Sequence, residues 1–328
     1  MKELRGRIGV VTGGGTGMGR ELARQLAGAG CHVAICDVSA EHMAETKSLC
    51  DGDAPSGTRV TTHVCDVSDE AQVLAFRDAV TKQHATNHVH LVFNNAGIAG
   101  GGSLFTDERE VWERVFGVCW YGVYYGTRAF LPLLTAAPEA HLVNTSSVNG
   151  FWASLGPGIP HTAYSAAKFA VKGFTEALIN DLRVNAPHVQ VHLVMPGHVG
   201  TSIVLNSPAV LGRPSPKEMT SDELLVVRHR MAARGMPADA LTDDQLRAGM
   251  QQMAEDFRDK APLSAAEAAT VILDGVRSGT WRILVGEDAK ELDRMVRSNP
   301  ERIYEPGFLE ELRAKGHLGV QLDLEAES

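Results

Sequence analysis

Tyr164 and Lys168 stand four residues apart in AYSAAKFAVKGF, a spacing that puts both on one face of a helix. A free phenol titrates near pH ~10, too high for a general base at neutral pH. A lysine ammonium within ~4–6 Å favours the phenolate and lowers that value. Upstream, AHLVNTSS delivers Ser147 to a strand end, where ligands of α/β sheets bind and a hydroxyl can hold a substrate oxygen beside the tyrosine. These side chains together offer proton transfer to or from an alcohol or carbonyl oxygen. A Tyr-x-x-x-Lys pair is common by chance, so the case rests on the elements that must position it.

After the first strand, TGGGTGMG (Thr12–Gly19) opens directly into the helix RELARQLAGAG. Such a turn brings backbone N–H groups against a phosphate, and the helix N-terminus adds positive potential. Gly13, Gly17 and Gly19 fit TGxxxGxG, with Thr16 and Met18 between them, and the GxGxxG fingerprint of other dinucleotide folds does not match. The second strand, HVAICD, ends in Asp37, 18 residues past Gly19. A carboxylate there can accept hydrogen bonds from the ribose hydroxyls of NAD and would repel the extra phosphate of NADP. Val38 and Ser39 supply no compensating charge. NAD is the expected cofactor and NADP the less favoured one, against the plainer reading of Asp37 as a cap on the next turn.

Strand runs at Arg7–Thr12, His32–Asp37, Arg59–Asp66, Leu91–Asn94, His141–Ser146, Val189–Met195 and Trp281–Val285 alternate with helical stretches near 17–29, 40–50, 69–84, 107–136 and 161–186. This alternation predicts an α/β fold: a Rossmann-type, doubly wound parallel sheet in a single domain, with its core at about 6–201 and 263–285. The stretch 202–262 differs, with several prolines, many charges and two capping boxes, Thr220 with Glu223 and Thr242 with Gln245. After the second box, Leu246, Met250, Met253 and Phe257 form an apolar stripe, suited either to core packing or to a helical lid over a substrate. A C-terminal extension runs from about 286 to 328.

Composition narrows the function classes. The chain has 328 residues, 44% hydrophobic and 22% charged, with a formal net charge of -9. That balance suits a soluble enzyme and disfavours nucleic acid or an anionic membrane as partner. The apolar stretch VFGVCWYGVYYGT is bounded by Arg114 and Arg128, too short for the ~18–20 residues of a spanning helix. A cytoplasmic location is the expectation. Cys31, Cys36, Cys50, Cys65 and Cys119 show no CxxC spacing, so buried, inert thiols are expected rather than disulfides or a zinc site. His84, His88 and His90 lack a carboxylate or cysteine among them and read as a solvated loop, leaving no metal site.

Taken in order, the chain resembles the short-chain dehydrogenase/reductase family. It carries the glycine turn, CDV (Cys65, Asp66, Val67), NNAG (Asn94 to Gly97), NTSS (Asn144 to Ser147), YSAAK (Tyr164 to Lys168) and PGHVGT (Pro196 to Thr201), all within residues 6–201. The resemblance implies reversible hydride transfer between NAD(H) and a secondary alcohol or ketone, with Tyr164 as acid/base, Lys168 as ribose anchor and Ser147 as substrate orienter. It further implies Asp66 and Val67 against the adenine, Asn94, Ala96 and Gly97 near the cofactor, and Pro196, Gly197, Val199 and Thr201 closing on the nicotinamide. Subunit pairing through the long helices near 107–136 and 161–186 is implied too, giving a homodimer or homotetramer.

Two departures stand out. The segment GFWASLGPGIPHTA lengthens the usual serine–tyrosine spacing, and its Phe151, Trp152, Leu155 and Ile159, with His198 nearby in PGHVGT, are expected to line an apolar substrate pocket, the alternative being that the loop side chains simply pack on the lid. Its substrate would be apolar and fairly bulky. The second departure is Cys119, in the VCWYG frame where the family carries an asparagine that helps hold a water beside the lysine. Activity survives if backbone shape carries that role. If not, the chain is a slow enzyme or a nucleotide-binding sensor, and an NADPH-dependent ketoreductase is a further alternative.

Overall fold

Runs of β-branched and apolar residues form the strands, and glycine-led or capped helices return the chain between them. The computed structural model describes residues 1–100, 102–105, 107–155, 159–232 and 240–315. Residues 156–158 of the long serine–tyrosine loop, 233–239 of the insertion and 316–328 of the extension lie outside the described residues.

In chain order the first half runs β1 (Ile8–Thr12), α1 (Gly17–Gly28), β2 (His32–Asp37), α2 (Ala40–Asp53), β3 (Val60–Val64), α3 (Glu70–His84), β4 (Leu91–Asn94) and α4 (Arg109–Phe116). A π-helical turn (Gly117–Tyr121) leads into α5 (Gly122–Thr135), followed by β5 (Ala140–Thr145), α6 (Thr162–Asn185), β6 (Val189–Pro196) and β7 (Val199–Gly200). Then come α7 (Ile203–Val210), α8 (Ser221–Ala232), α9 (Asp243–Asp259), β8 (Leu263–Ser264), α10 (Ala265–Ser278), β9 (Arg282–Val285), α11 (Glu287–Ser298) and α12 (Pro306–Ala314).

The main sheet is parallel, in the order β3-β2-β1-β4-β5-β6-β9. Strand order reverses between β1 and β4, so a crevice opens at their carboxyl ends. β1, β4 and β5 are buried along their whole length, as strands covered on both faces must be. β3 ends sooner than its sequence run, at Val64, because it is an edge strand and Cys65 to Val67 peel away toward the crevice.

The expected single helix over 107–136 is interrupted. The N–H of Gly122 donates to the carbonyl of Gly117, an i→i+5 bond that widens the helix at Val118 and Cys119. Gly117 and Gly122 weaken the regular helix there by about 1 kcal/mol each relative to alanine. Both expected capping boxes form: Thr242 with Gln245, and Thr220 with Glu223. In α9 the buried face is Leu246 and Ala254, with Met250 and Phe257 half-buried. Met253 is 42% exposed and leaves the expected stripe, the buried side of the helix being carried by Leu246 and Ala254.

The histidines expected in a solvated loop are not all solvated. His84 and His90 are buried; His84 bonds the Thr61 hydroxyl at 2.9 Å, and His90 Nδ1 accepts the Ile8 N–H at 3.1 Å. Burial holds both near pKa 4. His141 and His192 form a second buried pair, Nδ1 to Nε2 at 2.8 Å, and burial pushes them to about 3 and about 4. All five cysteines are free and buried, and burial raises the Cys31 and Cys50 thiols to about 12. Among the described residues there is no metal-ligating cluster and no helix long and apolar enough to cross a membrane.

Candidate active site

A cleft of about 650 Å³ lies at the carboxyl ends of the strands. Its floor is the turn between β1 and α1, where Gly13, Thr16, Gly17 and Met18 face the opening. Gly13 has φ +66°, and a methyl on it would meet the Ala96 Cα at 2.7 Å, so only glycine lets the turn pass this close to the loop after β4. Gly19 is buried instead, packed on the Gly13 carbonyl: it seats α1 against the turn without lining the cleft.

Asp37 closes one end. Its Oδ2 accepts the Gly15 N–H at 3.0 Å and its Oδ1 the Ser39 N–H at 3.1 Å, with Val38, Ser39 and His42 beside it on the cleft wall. The carboxylate therefore tethers the glycine turn while still facing the cleft. Asp66 and Val67 form the next wall. Burial raises the Asp66 carboxyl, but hydrogen bonds from Ser68 and the guanidinium of Arg114 at 2.6 Å outweigh this and hold it below its ordinary value.

Ala96 and Gly97 line the cleft as expected, but Asn94 does not. It is 1% exposed, donating to Thr127 Oγ1 at 3.1 Å and to Asn144 Oδ1 at 2.8 Å. As the last residue of a central strand it points into the core, and Asn95, one residue on, reaches the cleft in its place.

Ser147, Tyr164 and Lys168 meet on the opposite wall. Ser147 follows β5, and its hydroxyl accepts the Asn149 N–H at 3.1 Å. Tyr164 and Lys168 share one face of α6, with Nζ 5.3 Å from the phenol ring centroid. Lys168 is 2% exposed, and Thr145 O takes one of its three N–H donors at 3.0 Å. Burial raises the Tyr164 phenol, helped by the neighbouring Cys119 thiol and opposed by the Ser147 hydroxyl. Burial also lowers the Lys168 amine. Burial thus dominates the phenol's proton affinity, opposite in direction to the lowering by lysine that the spacing suggested.

Cys119 is fully buried in the π turn and does not line the cleft. Its Sγ donates to the Ile98 carbonyl at 3.4 Å, tying the widened helix to the loop after β4.

The expected substrate pocket is displaced. Trp152 is 3% exposed, donates Nε1 to Ile303 O at 2.8 Å and packs on Phe308. Phe151 lies under the Arg282 guanidinium, and Leu155 is exposed at the surface. The apolar faces of α11 and α12 cover the start of this loop, so its aromatics anchor the C-terminal extension. His198 also points away: its Nε2 meets Phe257 O at 2.7 Å and its ring packs tilted against Phe257, centroids 4.4 Å apart.

The apolar wall comes instead from Ile98, Val118 and the insertion, through Ile203, Leu205, Val210 and Phe257. α7 is latched to both sides, Asn206 Nδ2 donating to Thr16 Oγ1 at 3.3 Å and Ala99 N–H donating to Ser207 Oγ at 2.8 Å. Pro196, Gly197, Val199 and Thr201 complete the site. His161 packs tilted against Tyr164, ring centroids 4.6 Å apart, and burial lowers its imidazole to near pKa 4. His161, Arg114 and His42 carry no motif that marks them in the sequence, whereas Asn95 was readable from NNAG.

The donor set suits a dinucleotide: a glycine cradle at a helix N-terminus, a carboxylate where ribose hydroxyls would lie, and a buried ammonium with donors to spare.

Comparison with known proteins gives the same direction. The family model of the short chain dehydrogenases matches residues 7–209. SadH of Mycobacterium tuberculosis is 35% identical over 298 residues, 90% of this chain and 92% of its own length. Levodione reductase of Leifsonia aquatica is 32% identical over 224 residues, 67% of this chain and 79% of its own. A crystal structure from Burkholderia phymatum, a short-chain dehydrogenase/reductase in complex with NAD, superposes with a TM-score of 0.73 at 30% identity, covering 93% of this chain and 98% of its own.

Proposed function

The chain belongs to the short-chain dehydrogenase/reductase family, and from that premise we propose an NAD(H)-dependent oxidoreductase that interconverts a secondary alcohol and a ketone. The observation that carries the reading is one cleft lined by the glycine turn, Asp37, Ser147, Tyr164 and Lys168 together. The NAD complex of the Burkholderia phymatum relative supports the cofactor class, and Asp37, with no cation replacing it, favours NAD over NADP.

Bound nicotinamide supplies the site where a hydride is taken up or given back. Ser147 holds the substrate oxygen by its hydroxyl, and Tyr164 exchanges the proton on that oxygen. In ketone reduction the phenol donates; burial keeps it protonated at neutral pH but also makes it a weaker acid, so the phenolate formed needs a positive charge beside it. In alcohol oxidation it must accept, with the Lys168 ammonium as the positive charge nearest the phenolate. Lys168 also offers its remaining N–H donors to ribose hydroxyls. Cys119 keeps the π turn in place through Ile98, which favours a working enzyme over a nucleotide-binding sensor.

The substrate is apolar and fairly bulky on this reading, supported by Ile203, Leu205, Val210 and Phe257 rather than by the aromatics after Ser147. A homodimer or homotetramer is proposed as well, since Tyr121 and Phe169 stand 42% exposed on the long helices; a monomer by light scattering would refute it. The test of function is NADH formation with a panel of secondary alcohols at saturating NAD. Turnover confined to small polar polyols would remove the apolar substrate. Binding of NAD without any turnover would leave the sensor, and strong preference for NADPH would overturn the Asp37 argument.

A further inference from the structure

The loop Pro196–Thr201 shows the cleft only its front, and its back is held by chain that follows residue 202. The Gly197 N–H donates to Val285 O at 2.9 Å, and Val199 and Gly200 pair with Leu263 and Ser264. The His198 ring bonds the Phe257 carbonyl, and the His198 backbone N–H donates to Asp288 Oδ2 at 2.6 Å.

Among the described residues, Asp288 supplies the charged side chain in these hydrogen bonds. It lies in the first turn of α11, which Gly286 precedes without a side-chain cap, and it directs its carboxylate to the loop rather than to its own helix. A methyl on Gly197 would overlap that carboxylate, so the glycine lets the charge rest directly against the loop backbone. Asp288 Oδ1 and His198 Nδ1 are both buried without a partner among the described residues. Desolvating a carboxylate oxygen is costly, and the short charge-assisted bond to His198 offsets part of that cost.

We propose that Asp288 is a positioning residue that fixes the 196–201 loop at the nicotinamide end of the cleft, acting from beyond residues 7–209 that the family model matches. The inference rests on the nicotinamide reading above. The competing role is an acid that merely complements the α11 dipole. Glu287 shares that turn but is exposed and pairs with Lys290 at 2.6 Å, so it serves as the control.

The experiment compares dissociation constants for NAD and for ADP-ribose, which lacks only the nicotinamide. In Asp288→Ala, NAD should weaken by about tenfold or more while ADP-ribose stays within about twofold, the loss expected for a hydrogen bond to a charged group. Asp288→Asn keeps an acceptor oxygen and should recover most of the NAD affinity, and Glu287→Ala should match the parent. Gly197→Ala, which pushes the carboxylate off the loop, should reproduce the selective loss and carries the test if Asp288→Ala does not fold. Equal weakening of both compounds, no weakening of either, or the same loss in Glu287→Ala would overturn the proposal while leaving the cofactor reading intact. A parent protein that binds neither compound would defeat the cofactor reading, and the proposal with it.

Discussion

At the carboxyl ends of the strands Asp37, Tyr164 and Lys168 border an open cleft, whereas toward the amino ends His90, His141 and His192 are packed against backbone and one another. Both groups are ionisable and both are largely buried. At the second, His192 Nδ1 bonds Thr280 O at 2.7 Å, and Glu139 lies 3.7 Å from His141 and 3.3 Å from the Met1 amine. At the first, a buried ammonium keeps donors unspent beside space for a ligand. Burial of titratable groups alone does not mark a site; unspent hydrogen-bonding capacity facing a cavity does.

Replacing Tyr164 by phenylalanine should break the cleft end most. Loss of a general acid/base lowers kcat by roughly 10²–10⁴-fold, while NAD binding and the unfolding midpoint stay near those of the parent. Steady-state kinetics beside calorimetry check both halves.

The histidine end should answer to pH instead. Burial lowers His141 and His192 to about 3 and about 4 from an ordinary 6.5, so the unfolded chain takes up protons that the folded one refuses. Their contribution is therefore complete above pH 6.5 and is lost as pH falls toward those lowered values. Each histidine should remove about 1.4 kcal/mol of stability per pH unit through that window. Urea unfolding between neutral pH and pH 5 measures the slope, to which the buried His84, His90 and His161 add in the same sense; a flat profile would mean that these histidines are hydrated or already charged.

A smaller effect is expected at Asp37. Asp37→Ser removes the carboxylate and a tether of the glycine turn, and should narrow the preference for NAD over NADP by about tenfold, one charge-assisted interaction. The ratio of kcat/KM for the two cofactors reads it, and an unchanged ratio would make Asp37 a turn cap only.

Smallest of all should be Cys119→Asn. Carbonyl and π turn are retained, and an amide can replace the thiol on Ile98 O, so activity should be kept or raised. A collapse would show that the surrounding helix is packed around sulfur.

The two ends also differ in how far the sequence revealed them. Strand runs, glycine turn, YSAAK and NTSS were legible because each is a local pattern with its own physical demand, and the cleft gathers them at the sheet's switch point. The substrate side was misread. Phe151 and Trp152 look like pocket aromatics until α11 and α12 cover them, a contact that spans about half the chain and leaves no local trace. His90, His141 and His192 gave no signal either, since histidine in a strand has no spacing that announces burial. Asn94 was off by one position, which on a strand is the difference between core and cleft.

The most direct test of the central claim is to follow the hydrogen itself. A secondary alcohol that turns over, deuterated at its carbinol carbon, would be oxidised with unlabelled NAD and the NADH recovered. The account predicts one deuterium at C4 of the nicotinamide for each ketone formed, and none with Tyr164→Phe beyond its residual turnover. Ketone formed without label in the NADH would contradict it.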